Sequence, residues 1–291
     1  MGLFDFLKKK PAEAAQAAAP ARGPALPPLP QAIAADLGPA MAAGDYAKAA
    51  VAFMQQPDAG TQVGIACAAL LLAYADRFDE AIAKLRETKA PAVEMIVSGE
   101  QARWARWRDP AAAGRLDLLA PTASAPMYAG LAVALLRRDE ALAAKMFSDF
   151  ALDVRPVAGQ VTLRNGTVRA FTDLRDYDDG IGQMFELFVG NGVTYVPMEL
   201  VRRLELKAPS QFIEQLAFRA TLTTRTGKVI HGFMPLLYAC STTAASPTVR
   251  VGRETTFDHI GSACRALGQR DFKLDGGIMM GMQNVAAIDF T

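Results

Sequence analysis

Cysteine and histidine are both scarce in this chain of 291 residues. The three cysteines, Cys67, Cys240 and Cys264, are far apart and form no CxxC pair, which excludes a disulfide framework and favours a reducing compartment. The two histidines, His231 and His259, rule out a histidine-rich metal site or a relay of several histidines. Their separations from the nearest cysteines do not match zinc-ligand spacing, so the histidines and cysteines indicate no zinc site, and we expect no cofactor.

The chain also lacks an excess of charge of either sign. Its 31 basic and 30 acidic side chains give a formal net charge of +1, whereas dedicated nucleic-acid-binding proteins are usually strongly basic. We therefore expect no nucleic acid partner. Hydrophobic residues make up 51% of the sequence, which is enough to form a sizeable core and excludes wholesale disorder.

No apolar run is long enough to span a membrane. The longest covers residues 63–75, and a spanning helix needs ~20 residues. At the N-terminus a short apolar stretch precedes Lys8, Lys9 and Lys10, the reverse of the order in a secretory signal, so we expect a cytoplasmic protein without stable membrane insertion. The alternative is a membrane-tethered scaffold that uses residues 1–10 as an interfacial anchor, although a single apolar turn anchors weakly.

Composition divides the chain into three parts. Closely spaced prolines in residues 11–39 forbid a continuous helix, and we interpret residues 1–39 as a disordered N-terminus and linker. Alanine-rich sequence indicates a helical-repeat domain at 40–152. Near residue 155 alanine thins out and β-branched alternation begins, which predicts an α+β domain at 155–291.

The first of these domains reads as a series of helical hairpins. Candidate helices lie at 31–43, 45–56, 61–75, 78–88, 91–107, 111–119, 125–137 and 139–150. Ala49, Ala81, Ala111 and Ala141 recur at steps of 32, 30 and 30 residues, close to the ~34-residue period of tetratricopeptide repeats. A small alanine lets two helices approach closely, so we predict degenerate repeats of this type. An unrelated helical bundle is the alternative.

The second domain shows hairpin signals. Asn165-Gly166 separates two β-branched runs, and Arg225-Thr226-Gly227 separates 216–224 from 228–233. Further strands are expected at 193–196 and 284–290, and residues 181–189 show helical periodicity. The predicted fold class is α+β, with all-α helical-hairpin repeats followed by an α+β domain with a mainly antiparallel sheet.

An acidic cluster is the main candidate for chemistry. It comprises Asp173, Asp176, Asp178, Asp179 and Glu186. Paired carboxylates can bind a hard cation or act as acid and base, so a metal-assisted hydrolase using Asp176, Asp178 and Glu186 is one hypothesis. The simpler interpretation is that Asp178 or Asp179 caps a helix that begins near residue 181.

A basic and aromatic segment at 103–108 is the second candidate, because arginines interleaved with aromatic residues can bind nucleic acid. On a helix, however, Trp104 and Trp107 share one face. We therefore favour core tryptophans whose neighbouring arginines reach water.

Motifs from residue 171 onward occur in a characteristic order. They are Phe171, Asp176, Asp178, Ile181, Gly182, Phe185 and Glu186, then Gly192, Tyr195, Val196 and Pro197, then Arg202-Arg203, Ala208-Pro209, Gly227, Pro235 and Tyr238, and last Arg253, Thr255, Phe257, Gly268, Gln269 and Arg270. The ordered set resembles the ImpE/TagJ family, also called SciE-type proteins, which are accessory components of bacterial type VI secretion. The chain has Gly180, Gln183 and Ala217 where that family has arginine, proline and tryptophan.

The resemblance implies a non-catalytic adaptor. It implies binding to a partner helix of the contractile-sheath small subunit (TssB-like), contact with the disassembly ATPase (ClpV-like), and an influence on sheath assembly or disassembly. The family motifs imply candidate binding positions and no catalytic residue. These positions are Asp176, Asp178, Gly182, Glu186, Tyr195, Pro197, Arg253, Gln269 and Arg270.

Overall fold

A computed structural model describes residues 31–210 and 212–291 of the chain. The anchor considered at residues 1–10 and most of the linker at 11–39 lie outside these residues. A helix occupies Gln31–Ala42. It agrees with the candidate helix at 31–43, and it corrects the linker boundary at residue 39, because the linker's last nine residues are helical.

Helices fill the first half of the described chain. Their bounds are α1 Gln31–Ala42, α2 Tyr46–Met54, α3 Gln62–Tyr74, α4 Phe78–Leu85, α5 Pro91–Arg106, α6 Pro110–Ala113, α7 Ala125–Arg137 and α8 Glu140–Asp149, and a ninth, α9, covers Pro247–Arg250 in the second half. The predicted helix at 111–119 is wrong beyond its first turn. Residues 117–119 instead run beside a strand, where Tyr195 N donates to Asp117 O and Leu119 N donates to Tyr195 O.

The helical hairpins repeat, but in a register different from the predicted one. The second helix of each pair has a fully buried alanine four residues after its N-cap position, at Ala49, Ala81, Ala113 and Ala143. Ala111 and Ala141, which the sequence analysis aligned with Ala49 and Ala81, are exposed. The small side chain is therefore buried at the fourth position after the cap, whereas the second position faces solvent in the last two hairpins.

The hairpin turns share a backbone conformation as well. Gly44, Asp76 and Arg138 each precede an N-cap residue and have φ of 64°, 65° and 53°. This left-handed residue reverses the chain between the two helices. The same turn in three hairpins supports the interpretation of degenerate repeats.

Antiparallel sheets make up the second half. The strands are β1 Gly159–Leu163, β2 Val168–Phe171, β3 Leu174–Asp176, β4 Met184–Val189, β5 Gly192–Pro197, β6 Val201–Leu206, β7 Ala217–Thr224, β8 Val229–Pro235, β9 Thr255–Ile260, β10 Ala263–Gly268, β11 Asp271–Leu274, β12 Ile278–Gly281 and β13 Val285–Phe290. An eight-stranded sheet has the order β2-β1-β13-β6-β7-β8-β4-β5, and smaller sheets are formed by β9 with β10 and by β12-β11-β3. Both predicted hairpins and the strands at 193–196 and 284–290 are confirmed.

Helices and sheets share a hydrophobic core. Phe188 and Phe233 pack with the buried residues of the helices, whereas Phe185 and Leu187 face a second cluster between the eight-stranded and three-stranded sheets. Strand β4 is therefore buried on both faces. This explains why the predicted helical periodicity at 181–189 is wrong: a strand covered on both sides is apolar throughout and shows no alternation. The arrangement places α5 directly against β4.

Candidate functional site

The acidic residues after β3 form a tight turn. Asp176 Oδ1 accepts a hydrogen bond from Asp178 N at 2.9 Å, and Asp178 Oδ1 accepts one from Gly180 N at 2.9 Å. The other Asp178 oxygen accepts from Ala266 N of β10 at 3.2 Å. The expected cap of a helix near residue 181 is therefore wrong, because these carboxylates shape a turn and fasten it to a neighbouring strand.

A glycine completes this turn. Gly182 has φ of 57°, and a Cβ there would overlap the ring of Tyr128 on α7. Its backbone O accepts from Asp176 N at 2.7 Å. Only glycine tolerates both the left-handed conformation and the close approach of the ring. The turn therefore packs directly against α7.

A buried ion-pair cluster lies beside the turn. We define it as Glu100, Arg103, Asp176, Glu186 and Arg270, all of which are nearly or completely excluded from solvent. Arg270 Nη1 donates to Asp176 Oδ2 at 3.0 Å, and its Nη2 donates to Glu186 Oε2. One guanidinium thus joins the acidic turn to β4.

The helical half supplies the rest of the cluster. Arg103 of α5 donates through Nη1 to Glu100 at 2.7 Å and through Nη2 to Leu237 O at 2.7 Å. Its Nε lies 3.2 Å from Glu186 Oε2. Tyr195 OH donates to the remaining Glu186 oxygen at 2.9 Å. Glu186 is therefore bound from both halves of the protein.

The environment sets different pKa values within the cluster. Burial raises the pKa of Asp176 to about 7, although Arg270 opposes the shift. Burial and the adjacent Asp176 charge raise the pKa of Asp178 to about 7. Burial acts in the same direction on Glu186, but Arg103 and Arg270 outweigh it and lower the pKa of Glu186 to about 2. Glu186 therefore stays ionised at neutral pH, and the two aspartates are close to their titration range.

A second arginine of α5 is also buried. Arg106 Nη2 donates to Gly180 O at 2.9 Å, and its guanidinium stacks on the rings of Trp107 and Tyr195. Trp104 and Trp107 are core residues, as expected, but the expectation that Arg103 and Arg106 reach water is wrong. Arg106 binds the acidic turn and Arg103 binds Glu186, and both partners are distant from these arginines in the sequence.

The remaining candidate residues have separate locations. Pro197 is buried at the end of β5, paired with Met184. Gln269 is buried, and its backbone N donates to Glu254 O. Arg253 is exposed. The structure thus brings Asp176, Asp178, Gly182, Glu186, Tyr195 and Arg270 together and leaves these three outside the cluster.

Sequence reasoning missed Glu100 and placed Arg103 in contact with water, although both side chains are buried. The available signal was their spacing: Ile96, Glu100 and Arg103 follow one another at four and three residues, which puts the charged pair on the buried face of α5. Charged side chains on an apolar helix face become buried and need partners from the element that covers them. Glu186 is that partner for Arg103.

The contacts explain what the carboxylates do. Asp176 and Glu186 are held by Arg270, and both oxygens of Asp178 accept backbone hydrogen bonds. Within residues 31–210 and 212–291, no three His, Cys, Asp or Glu side chains are arranged to hold a metal ion. The hydrolase hypothesis requires these carboxylates to converge on a reactant, and they are instead occupied by arginines and amides.

The sequence around this cluster matches a known family. Residues 168–289 match the family described as ImpE protein. We refer to these matched residues as the ImpE domain. Asp176, Glu186 and Arg270 belong to the ImpE domain, whereas Glu100 and Arg103 come from the helices that precede it.

Two individual proteins are similar to this chain. A protein of Pseudomonas aeruginosa named type VI secretion system accessory component TagJ is 30% identical over 107 residues, which is 37% of this chain and 37% of that relative. The crystal structure of protein VPA1032 from Vibrio parahaemolyticus has a TM-score of 0.71 and 17% identity, over 88% of this chain and 97% of that chain. The second likeness shows that the fold, including the helices before the ImpE domain, occurs in another protein.

No helix in the described part of the chain is both long and apolar enough to cross a membrane.

Proposed function

We propose that this protein is a non-catalytic accessory component of a bacterial type VI secretion system. In this proposal it binds a helix of the contractile-sheath small subunit and influences sheath assembly or disassembly. The observation that carries the proposal is the ImpE domain at 168–289, together with the relative named as an accessory component of such a system.

The buried ion-pair cluster supports a structural role for the charged motif residues. Asp176, Glu186 and Arg270 are buried, and Arg270 pairs with both carboxylates. Glu186 also pairs with Arg103 of α5, so these charges fasten the ImpE domain to the helices instead of facing a partner. A motif whose charges maintain the scaffold is what an adaptor requires, because its partner is bound elsewhere on the surface.

The helical repeats offer an apolar surface for a partner helix. Val51 and Met54 are one turn apart on α2 and are 45% and 37% exposed, and Val63 at the start of α3 is 74% exposed. The helices α2 and α3 belong to neighbouring hairpins, pack against each other and are joined by residues 55–61, so Met54 and Val63 lie close to the same connection. Amphipathic helices bind such surfaces through apolar anchors spaced three or four residues apart.

The proposal is tested by titrating the full chain into a labelled peptide of the sheath small subunit's N-terminal helix, followed by fluorescence anisotropy. Val51→Glu with Met54→Glu should weaken binding at least tenfold, because charge replaces two apolar contacts while α2 remains helical. The matched control is Val229→Glu with Ile278→Glu, which changes similarly exposed apolar side chains on strands β8 and β12.

Absence of binding by the wild-type chain, to the peptide and to the intact sheath subunit, would overturn the proposed function. Equal losses of peptide affinity in both double variants would show that the partner helix does not bind specifically to the surface formed by Val51 and Met54. The full chain is used because the helices and sheets share one core.

A further inference from the structure

The end of α2 and the start of α3 form an exposed surface that is apolar in its centre and acidic at one edge. Its residues are Val51 and Met54 of α2, Asp58 of the turn that joins the two helices, and Val63 of α3. All four residues are exposed. We call this set the α2–α3 surface.

The connecting turn makes the surface continuous. The turn packs against both helices, and α2 packs against α3. A Cβ at Gly64 would overlap the backbone O of Asp58, which also accepts a hydrogen bond from Thr61 Oγ1 at 2.7 Å. Asp58 is therefore fixed beside the start of α3, where Val63 precedes Gly64 in the chain.

The acidic edge of this surface favours a basic ligand. Among the residues that the structure describes, Asp58 takes part in no ion pair. The last turn of α2 contains no basic residue, and the nearest one in the sequence, Lys48, lies towards the opposite end of that helix. The C-terminal end of a helix has a partial negative charge, so the end of α2 and Asp58 both attract a cation.

Residues 2–10 of the same chain have the complementary pattern. They contain four large apolar side chains and then three basic ones, which are Leu3, Phe4, Phe6 and Leu7 followed by Lys8, Lys9 and Lys10. Phe6 and Leu7 follow Leu3 at three and four residues, which is the spacing of the apolar anchors in helical ligands. Between residue 11 and α1 the large apolar residues are Leu26 and Leu29, which stand among prolines. Residues 2–10 therefore match the α2–α3 surface better than the rest of this segment.

The connection between the two is long enough for a contact within one chain. Residues 11–30 can span up to about 70 Å when fully extended. They lead into α1, which packs directly against α2. A segment attached by a linker of suitable length acts at an effective concentration of about a millimolar. Apolar contacts that are too weak to hold a free peptide therefore suffice here.

We propose that residues 2–10 bind the α2–α3 surface of their own chain. The apolar side chains of the segment cover those of the surface, and the three lysines lie beside Asp58 and the end of α2. The contact removes apolar surface from water while no partner is bound. Competition between the segment and a sheath-subunit helix for this surface rests on the proposed function, whereas the contact itself does not.

The contact is measured in the full chain by paramagnetic relaxation. The three native cysteines are buried, so a spin label attached to Gly2→Cys marks the segment alone. NMR of isotope-labelled methionine methyl groups then compares Met54 of α2 with Met279 of β12, which are 37% and 36% exposed. The Met54 signal should lose at least half of its intensity relative to the sample with reduced label, and the Met279 signal should be unchanged.

The apolar part of the contact is tested in the segment itself. Phe4→Ser with Phe6→Ser should restore the Met54 signal, because the segment loses two apolar anchors. Leu26→Ser with Leu29→Ser is the matched control and should leave the loss of the Met54 signal unchanged.

The charged part is tested at the acidic edge. Asp58→Lys should at least halve the loss of the Met54 signal, because it places a positive charge beside the three lysines. The matched control is Asp153→Lys, which reverses the charge of another exposed aspartate, in the connection after α8. It should leave the loss unchanged.

An unchanged Met54 signal, or equal losses at Met54 and Met279, would overturn the proposal. A loss at Met54 when the spin label and the isotope are on different molecules would assign the surface to the segment of a second copy, which also contradicts the proposal.

The sheath-subunit peptide separates this proposal from the proposed function. The peptide should restore the Met54 signal, and a chain that lacks residues 2–10 should bind it at least threefold more tightly; equal affinity would overturn the competition. If the peptide does not bind while Met54 loses intensity, the proposed function fails and the contact is supported. Peptide binding without any loss at Met54 has the opposite meaning.

Discussion

Arg103 Nε lies 3.2 Å from Glu186 Oε2, although one residue belongs to helix α5 and the other to strand β4. Both side chains are completely buried. A buried ion pair contributes little if both partners are replaced by apolar groups, but loss of one partner leaves the other charge without compensation. The helices and the ImpE domain are therefore tied by charge as well as by apolar packing.

Replacement of Arg103 should destabilise the whole protein. Arg103→Met leaves Glu100 and Glu186 buried with less positive charge, and we expect a loss of about 3–5 kcal/mol in the free energy of unfolding. Urea denaturation measures it. The double variant Arg103→Met with Glu186→Gln should cost less than the sum of the two single variants.

The matched control for this prediction is Arg108→Met. Arg108 pairs with Asp76 at 2.6 Å at the surface, where such pairs contribute about 0–1 kcal/mol. Equal losses for Arg103→Met and Arg108→Met would contradict the structural role of the buried ion-pair cluster.

Gly182→Ala should be far more damaging than Gly190→Ala. Both glycines have positive φ, 57° and 61°, so both variants incur about 1–2 kcal/mol of backbone strain. Only at Gly182 would the added Cβ overlap a ring, that of Tyr128, whereas nothing lies within 4 Å at Gly190. Thermal unfolding should show a clearly lower Tm for Gly182→Ala, and similar Tm values would refute the close packing of the turn on α7.

Two helix glycines give a further comparison. A Cβ at Gly99 of α5 would overlap the rigid ring of Phe188, while at Gly130 of α7 it would meet the flexible side chain of Met146. Gly99→Ala should therefore lose about 1–3 kcal/mol through overpacking. Gly130→Ala should be nearly neutral. Alanine stabilises a helix by about 1 kcal/mol relative to glycine, and this gain offsets the cost of moving the Met146 side chain. Denaturation midpoints compare the two, and a larger loss at Gly130 would contradict the prediction.

Stability should increase as the pH falls from 8 to about 5. Asp176 and Asp178 have folded pKa values of about 7, above the ~3.9 of an unfolded chain, so the folded state binds more protons across this window. At lower pH the dependence reverses, and stability decreases as the pH falls. The pKa of Glu186 is lowered to about 2, so the stabilisation provided by its ionised carboxylate is lost as the pH falls from about 4 to 2.

The measurement is the Tm at pH 8, 6.5 and 5 for the wild type and Asp178→Asn. The variant removes one titrating group, so its increase in Tm between pH 8 and 5 should be smaller. A wild-type Tm that is constant or falls over this range would contradict the raised pKa values.

Helices and strands were predicted well where a single local sequence signal determines them. The predicted helices at 45–56 and 139–150 correspond to Tyr46–Met54 and Glu140–Asp149, and Asn165-Gly166 forms the turn of a hairpin. The sequence failed at Met184–Val189, because burial on both faces removes the alternation that identifies a strand. It also failed to separate Ala141 from Ala143, two residues apart and chemically identical.

The candidate site was only half predictable. The family motifs indicated Asp176, Glu186 and Arg270, and the structure brings these three together. Their helical partner Arg103 is more than 80 residues from Glu186 in the chain. No local pattern connects such distant charges, so arginines near tryptophans were interpreted as surface residues.

The extended segment at residues 117–119 has a consequence for fragments of this protein. It pairs with Tyr195 and so covers the outer edge of strand β5. A fragment that begins after residue 119 would present this uncovered strand, together with the bare rings of Phe188 and Phe233, as a template for strand addition by neighbouring molecules. Such a fragment should aggregate on expression, although it retains the entire ImpE domain.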